Sequence, residues 1–195
     1  LNLLHAAQKA GVRKFIYVSV LHGNLHRSLK IMEAKEAFVD ALKASGMSYC
    51  IIRPNGFFSD MKDFLDMAQK GKVYLFGDGT KKFNPIHGAD LAIACVDAIT
   101  SKATEIPIGG PDILTQNEVA QAALLAYGKP MNIIHLPHAL RKFIIIFLRT
   151  FTSSKTYGPY EFFLTLMAED AIAPRFGRHR LHSFFQKEAD QLLGK

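Results

Sequence analysis

Two short runs of β-branched and aromatic residues, 14–20 (Lys-Phe-Ile-Tyr-Val-Ser-Val) and 48–53 (Ser-Tyr-Cys-Ile-Ile-Arg), flank a stretch with helical periodicity. Runs this apolar, without strict alternation, suit strands covered on both faces. Between them, over 29–44, Ile31, Ala34, Phe38, Ala41 and Leu42 recur at three- and four-residue steps, and Ser45-Gly46 supplies a stop. Strand, crossover helix and strand make a βαβ unit, whose strands run parallel because a crossover and not a hairpin joins them.

The alternation continues down the chain. The pattern predicts a helix over 58–69, a strand at 73–76, a turn at Gly77-Asp78-Gly79 and a helix over 88–100 with Leu91, Ala94, Cys95 and Ala98 on one face. A strand at 105–108 follows. Thr115 and Glu118 have the spacing of a capping box, and the helix they start runs to Tyr127, where Gly128 closes it. A strand at 131–136 and a helix over 138–151 complete the pattern. Alternation of this kind belongs to an open, mostly parallel α/β sheet.

A chain of 195 residues with 49% hydrophobic and 21% charged residues has enough apolar material for one domain with a real core. It opens at Leu1 inside an amphipathic pattern (Leu3, Leu4, Ala7, Ala10), without the layout of a signal peptide, and is expected to be a fragment. The net charge is +7, yet the basic residues are scattered apart from one cluster, Arg175, Arg178, His179 and Arg180. That cluster reads as a solvated loop, and nucleic acid is not expected as a partner. Cys50 and Cys95 sit in apolar runs without metal spacing, which suits buried thiols in a reducing, cytoplasmic setting. No apolar run reaches the roughly 18 residues of a membrane span.

A dinucleotide fold cradles its pyrophosphate in a Gly-rich first βα turn. Neither G-x-G-x-x-G nor G-x-x-G-x-x-G occurs in this sequence, and Gly77-Asp78-Gly79 opens no helix.

Three segments carry a family resemblance: Ala10-Gly11-Val12-Arg13-Lys14-Phe15-Ile16-Tyr17-Val18-Ser19; Ala34-Lys35-Glu36-Ala37 with the later Ile51-Ile52-Arg53-Pro54-Asn55-Gly56-Phe57-Phe58; and Pro85-Ile86-His87-Gly88-Ala89-Asp90-Leu91-Ala92. In order and spacing they resemble the atypical and extended short-chain dehydrogenase/reductases. The resemblance is strongest to the group with isoflavone-reductase-like, NmrA-like and divinyl chlorophyllide 8-vinyl reductase members. The Arg-Pro-x-x-Phe-Phe loop, Ile108-Gly109-Gly110-Pro111 and the late segment from Leu181 to Phe185 are similar to the vinyl reductases. The resemblance implies the C-terminal portion of a Rossmann-like doubly wound parallel sheet plus a small C-terminal α/β lobe. Residues 1–104 would belong to the NAD(P)-binding domain and 105–195 to a substrate-side lobe, in one continuous unit. It also implies NADP, or NAD, as cofactor, a small-molecule substrate, and an NAD(P)-dependent oxidoreductase activity. A non-catalytic NAD(P)-sensing or assembly protein of NmrA-like type is the alternative.

The superfamily works through a Tyr-x-x-x-Lys pair, in which the lysine holds the ribose hydroxyls and lowers the tyrosine pKa. Lys35 matches the lysine, but Ile31 stands at the tyrosine position and has no proton to give. Lys35 is therefore the catalytic candidate, with ribose and proton-relay roles implied by the resemblance; the plain alternative is a solvated helix lysine. Ser19 ends a strand at its carboxyl edge, where open α/β sheets bind ligands. Pro54, Asn55 and Phe57 follow the next strand at the same edge, and the resemblance implies that their loop meets the nicotinamide carboxamide. Ser19, Lys35, Pro54, Asn55 and Phe57 are thus the expected cofactor contacts. His87 and Asp90, three apart at a helix start, read as structural capping. No metal is expected, His22 and His26 lying in a Gly-Asn loop. Residues 139–151, strongly apolar with Arg141, Lys142 and Arg149 at the flanks, read either as a membrane-surface helix or lid or as a buried helix. Burial or a protein interface is the favoured reading, with peripheral membrane contact the alternative.

Overall fold

The structure, a computed structural model, describes residues 1–194. Its elements in chain order are α1 (Asn2–Lys9), β1 (Lys14–Val18), α2 (Lys30–Ala44), β2 (Ser48–Pro54), α3 (Lys62–Gln69), β3 (Val73–Phe76), β4 (Lys82–Phe83), α4 (Gly88–Asp97), β5 (Glu105–Ile108), β6 (Leu114–Thr115), α5 (Gln116–Ala126), β7 (Ile133–Leu136), α6 (His138–Phe151), α7 (Ser154–Leu166) and α8 (Leu181–Leu192).

The βαβ unit is present as read. β1 and β2 pair in parallel, with Ile16 opposite Cys50 and Val18 opposite Ile52, and β5 joins the other edge of β2, also parallel. Alternate side chains of these strands leave on opposite faces. Cys50 and Ile52 pack with Ile86, Leu91 and Ala94 under α4. Ile51 packs with Val39 and Leu42 of α2 and Leu4 of α1. Covered on both faces, the strands read as continuous apolar runs, which is why β-branched residues fill them. β3 and β7 form a second parallel pair and β4 and β6 a short antiparallel one. The largest apolar cluster joins α3, α5 and α8 around Leu65, Ala123, Leu124 and Phe185. The capping box of α5 is formed: the Thr115 side chain accepts from the Glu118 N–H, and the Glu118 carboxylate accepts from the Thr115 N–H at 2.7 Å.

Two expectations are corrected, and one further element lies outside them. The helix over 58–69 begins as a 3-10 turn at Phe58–Met61 before α3. The favoured burial of 139–151 is not found: α6 forms, but none of its residues is buried, and Phe143, Phe147 and Phe151 stack along an exposed face. Finally, α7 has no counterpart in the sequence reading. Gly158 and Pro159 fall inside it and look like a loop. Packing against α2 and α6 holds the helix despite the missing Pro N–H.

Candidate functional site

The carboxyl ends of β1 and β2 open into a cavity of about 280 Å³. Its floor is Val18, Ser19 and Val20 after β1 and Pro54, Asn55, Gly56 and Phe57 after β2; Ile31 and Lys35 of α2 form one wall. Four residues apart, these two share a helix face. Phe162, Phe163 and Leu166 of α7, with Met167 just after it, make the roof. All five residues expected to contact a cofactor therefore line one space.

Lys35 enters this space half-buried. Its Nζ donates to the Val18 carbonyl at 3.2 Å and lies 5.5 Å from the centre of the Tyr17 ring. Burial pulls its pKa below the ordinary lysine value, with the neighbouring Glu36 partly opposing. Ile31 offers the cavity only an apolar surface, so the tyrosine position carries no donor.

Beside the cavity lies a polar cluster that sequence reading missed. Glu36 is 1% exposed and Arg53 5%. Arg53 grips Glu36 with both ends of its guanidinium, Nη1 to Oε1 at 2.7 Å and Nη2 to Oε2 at 3.0 Å. Nη1 also donates to the Val20 carbonyl, and Nε to Glu105. Ser19 Oγ donates to Glu36 Oε1 at 2.9 Å, so its hydroxyl serves this cluster and only its surroundings face the cavity. Burial would raise the Glu36 carboxyl; the Arg53 and Ser19 hydrogen bonds outweigh it and hold the pKa below the usual carboxylate range. The available signal was Arg53 itself, an ionic residue ending an apolar strand, which needs a buried partner.

Asn55 is tied down by two donations from its Nδ2, to Asn84 Oδ1 and to the Ala171 carbonyl, which fix the orientation of the amide. Its Oδ1 is buried and has no partner among the described residues. The Lys35 ammonium is the cationic donor of a cavity whose lining also includes Asp60. A hydroxyl-bearing ligand in this cavity could accept from Lys35 Nζ.

His87 and Asp90 are structural, as read, but Asp90 works differently from a cap. His87 Nδ1 accepts from the Ala89 N–H at the start of α4. The Asp90 carboxylate, fully buried, turns instead to the segment before α8. It accepts from the N–H groups of Arg178 and His179, both at 3.1 Å, and faces His179 Nδ1 at 2.8 Å. Part of the basic cluster is thereby pinned by its backbone, and Arg180 pairs with Asp112. Among the described residues no group of side chains has a metal-binding arrangement.

A profile of the family described as NAD(P)H-binding matches residues 1–102. A divinyl chlorophyllide a 8-vinyl-reductase of Cucumis sativus is 27% identical over 95% of this chain and 51% of its own length. The photosystem II assembly factor Ycf39 of Guillardia theta is 27% identical over 72% of this chain and 46% of its own. The chain thus spans about half the length of these curated relatives. Among solved structures, an isoflavone reductase superposes with a TM-score of 0.70 at 21% identity, over 95% of this chain and 69% of that one.

Proposed function

The chain belongs to the NAD(P)H-binding family, and from that premise we propose that its cavity receives the nicotinamide riboside end of NADPH in an oxidoreductase. One observation carries this reading: Ser19, Lys35, Pro54, Asn55 and Phe57, from three separate segments, line a single cavity at the carboxyl edge of a parallel sheet. The cofactor would supply hydride. The chain's own residues do the rest. Lys35 orients the ribose and holds a proton at Nζ, which burial makes easier to release. Asn55 holds the 54–57 loop in place through its Nδ2 bonds, and the aromatic and methionine roof keeps water away. In this reading residues 1–104 hold the cofactor and 105–195, through α7, cover the substrate side.

Lys35→Met tests it. Loss of a charge-assisted hydrogen bond of about 1.5–3 kcal/mol raises the NADPH dissociation constant or lowers turnover roughly tenfold to hundredfold. Lys30→Ala, whose ammonium pairs with Glu33 on the exposed side of α2, is the silent control. The alkaline limb of kcat/KM lies below the ordinary lysine value of about 10.4, because the ammonium is lost as pH rises through its lowered pKa, and Lys35→Met removes that limb. A folded Lys35→Met protein with unchanged NADPH affinity and turnover sinks the proposal. Ile31 in the cavity favours a second reading, an NADPH sensor without turnover. Binding of NADPH without its oxidation by any of a panel of apolar acceptors selects it.

A further inference from the structure

A second cavity, of about 460 Å³, adjoins the first, with Phe163 and Met167 in the walls of both. Its walls come from α3, β3, β7, α6, α7 and Gln116 at the start of α5 and are mostly aromatic and aliphatic. Into this apolar space α6 brings one guanidinium, that of Arg141. Nη1 donates to the Leu164 carbonyl at 2.9 Å, one of the last carbonyls of α7 that the helix leaves free. Nε is buried and has no partner, and among the described residues Arg141 takes part in no ion pair. Asp63 and Asp66 also line the cavity but stand exposed on α3. Nη2 makes no hydrogen bond among the described residues, so this partly buried guanidinium has a donor left for a ligand.

We propose that this cavity binds an amphipathic organic anion, an apolar body ending in a carboxylate, sulfonate or phosphate, with Arg141 as the partner of the headgroup. A guanidinium donates to such groups through charge-assisted N–H bonds. That the anion is the acceptor substrate rests on the dinucleotide reading above, since the cavity abuts the proposed nicotinamide site; that it binds there does not.

The probes are 8-anilinonaphthalene-1-sulfonate and N-phenyl-1-naphthylamine, which share their rings but differ in the sulfonate. The protein is expected to bind the sulfonate the more tightly. Arg141→Gln, which keeps a donor for the Leu164 carbonyl, weakens the sulfonate about tenfold to hundredfold and leaves the neutral probe unchanged. Arg141→Lys restores part of the loss. Leu136→Trp, filling the cavity, weakens both probes, whereas Phe147→Ser on the exposed face of α6 changes neither. Equal binding of the two probes by the unaltered protein overturns the proposal. So does a sulfonate preference that survives in folded Arg141→Gln, or one abolished by Phe147→Ser. If Arg141→Gln lowers only thermal stability, the arginine is a tie between α6 and α7 and the proposal fails. NADPH titrated in parallel to millimolar concentration, with Lys35→Met beside the unaltered protein, separates the two readings: an Arg141-dependent sulfonate preference beside an NADPH response that Lys35→Met leaves unchanged defeats the dinucleotide reading alone.

Discussion

At the scale of single residues, Glu36 decides more than its neighbour Lys35. The carboxylate ties α2 to the ends of both strands, through Ser19 on one side and Arg53 on the other. Removing one partner of a buried pair leaves the other charge uncompensated. Glu36→Gln is therefore expected to destabilise the protein by about 3 kcal/mol, the low end for such a loss, because Glu105 still faces Arg53. Urea denaturation measures it. The depressed pKa of Glu36 also sets a pH window. Its contribution is complete above the unfolded-state value of about 4.3 and is lost as pH falls through the lower folded value. Acid titration of stability should show this loss in the unaltered protein and a shallower one in Glu36→Gln. Lys35 could be found from its sequence context, because the family resemblance marks it. Glu36 could not, since nothing local distinguishes a buried helix glutamate from an exposed one.

At the scale of elements, Ile108-Gly109-Gly110-Pro111 shows what a short motif is for. A Cβ on Gly110 would come within 1.9 Å of the Pro85 carbonyl oxygen, and one on Gly109 would run into the Asn84 side chain. The two glycines let the end of β5 lie against the segment before α4. Asn84 then bonds to the Gly110 and Ala173 carbonyls and closes the junction. Gly110→Ala is expected to cost roughly 1–3 kcal/mol by overpacking against backbone that cannot retreat, read as a lowered denaturation midpoint with an unchanged slope. α6 offers the opposite case. Its 14 residues span roughly 21 Å at about 1.5 Å each, short of the roughly 30 Å of a bilayer core, and no helix of the described residues is long and apolar enough to cross a membrane. Phe147 is 50% exposed, so Phe147→Ser is expected to change stability by no more than about 0.5 kcal/mol, as for surface sites in general, checked by thermal denaturation.

At the scale of the whole molecule, the sheet β1-β2-β5 supplies the edge where the nicotinamide end of a dinucleotide is proposed to sit, while the sequence contains no Gly-rich turn for its pyrophosphate. That turn provides backbone donors at a helix N-terminus. The 195 residues by themselves are accordingly expected to bind NADPH weakly, nearer a millimolar than a micromolar constant, or about 4 against 8 kcal/mol. Calorimetric titration of this chain checks it, and micromolar affinity would show that the existing helix ends suffice.

The sequence by itself determined the α/β class, the parallel βαβ unit and the capped helix at 116–126, because periodicity and capping are short-range signals written in adjacent residues. It also marked Lys35 and the 54–57 loop, through motifs whose order survives in the chain. The tertiary structure alone decided what lies beside them. α7 forms across a Gly-Pro pair because its neighbours hold it, Asp90 reaches the segment 88 residues further on, and Arg53 meets Glu36 and Glu105 across two elements. Contacts at such separations depend on how the sheet and helices stack, and no local pattern of polar residues encodes the partner of a buried charge. The same holds for Arg141: in sequence it is the basic flank of an apolar helix, and only the packing of α6 on α7 turns it into a cavity.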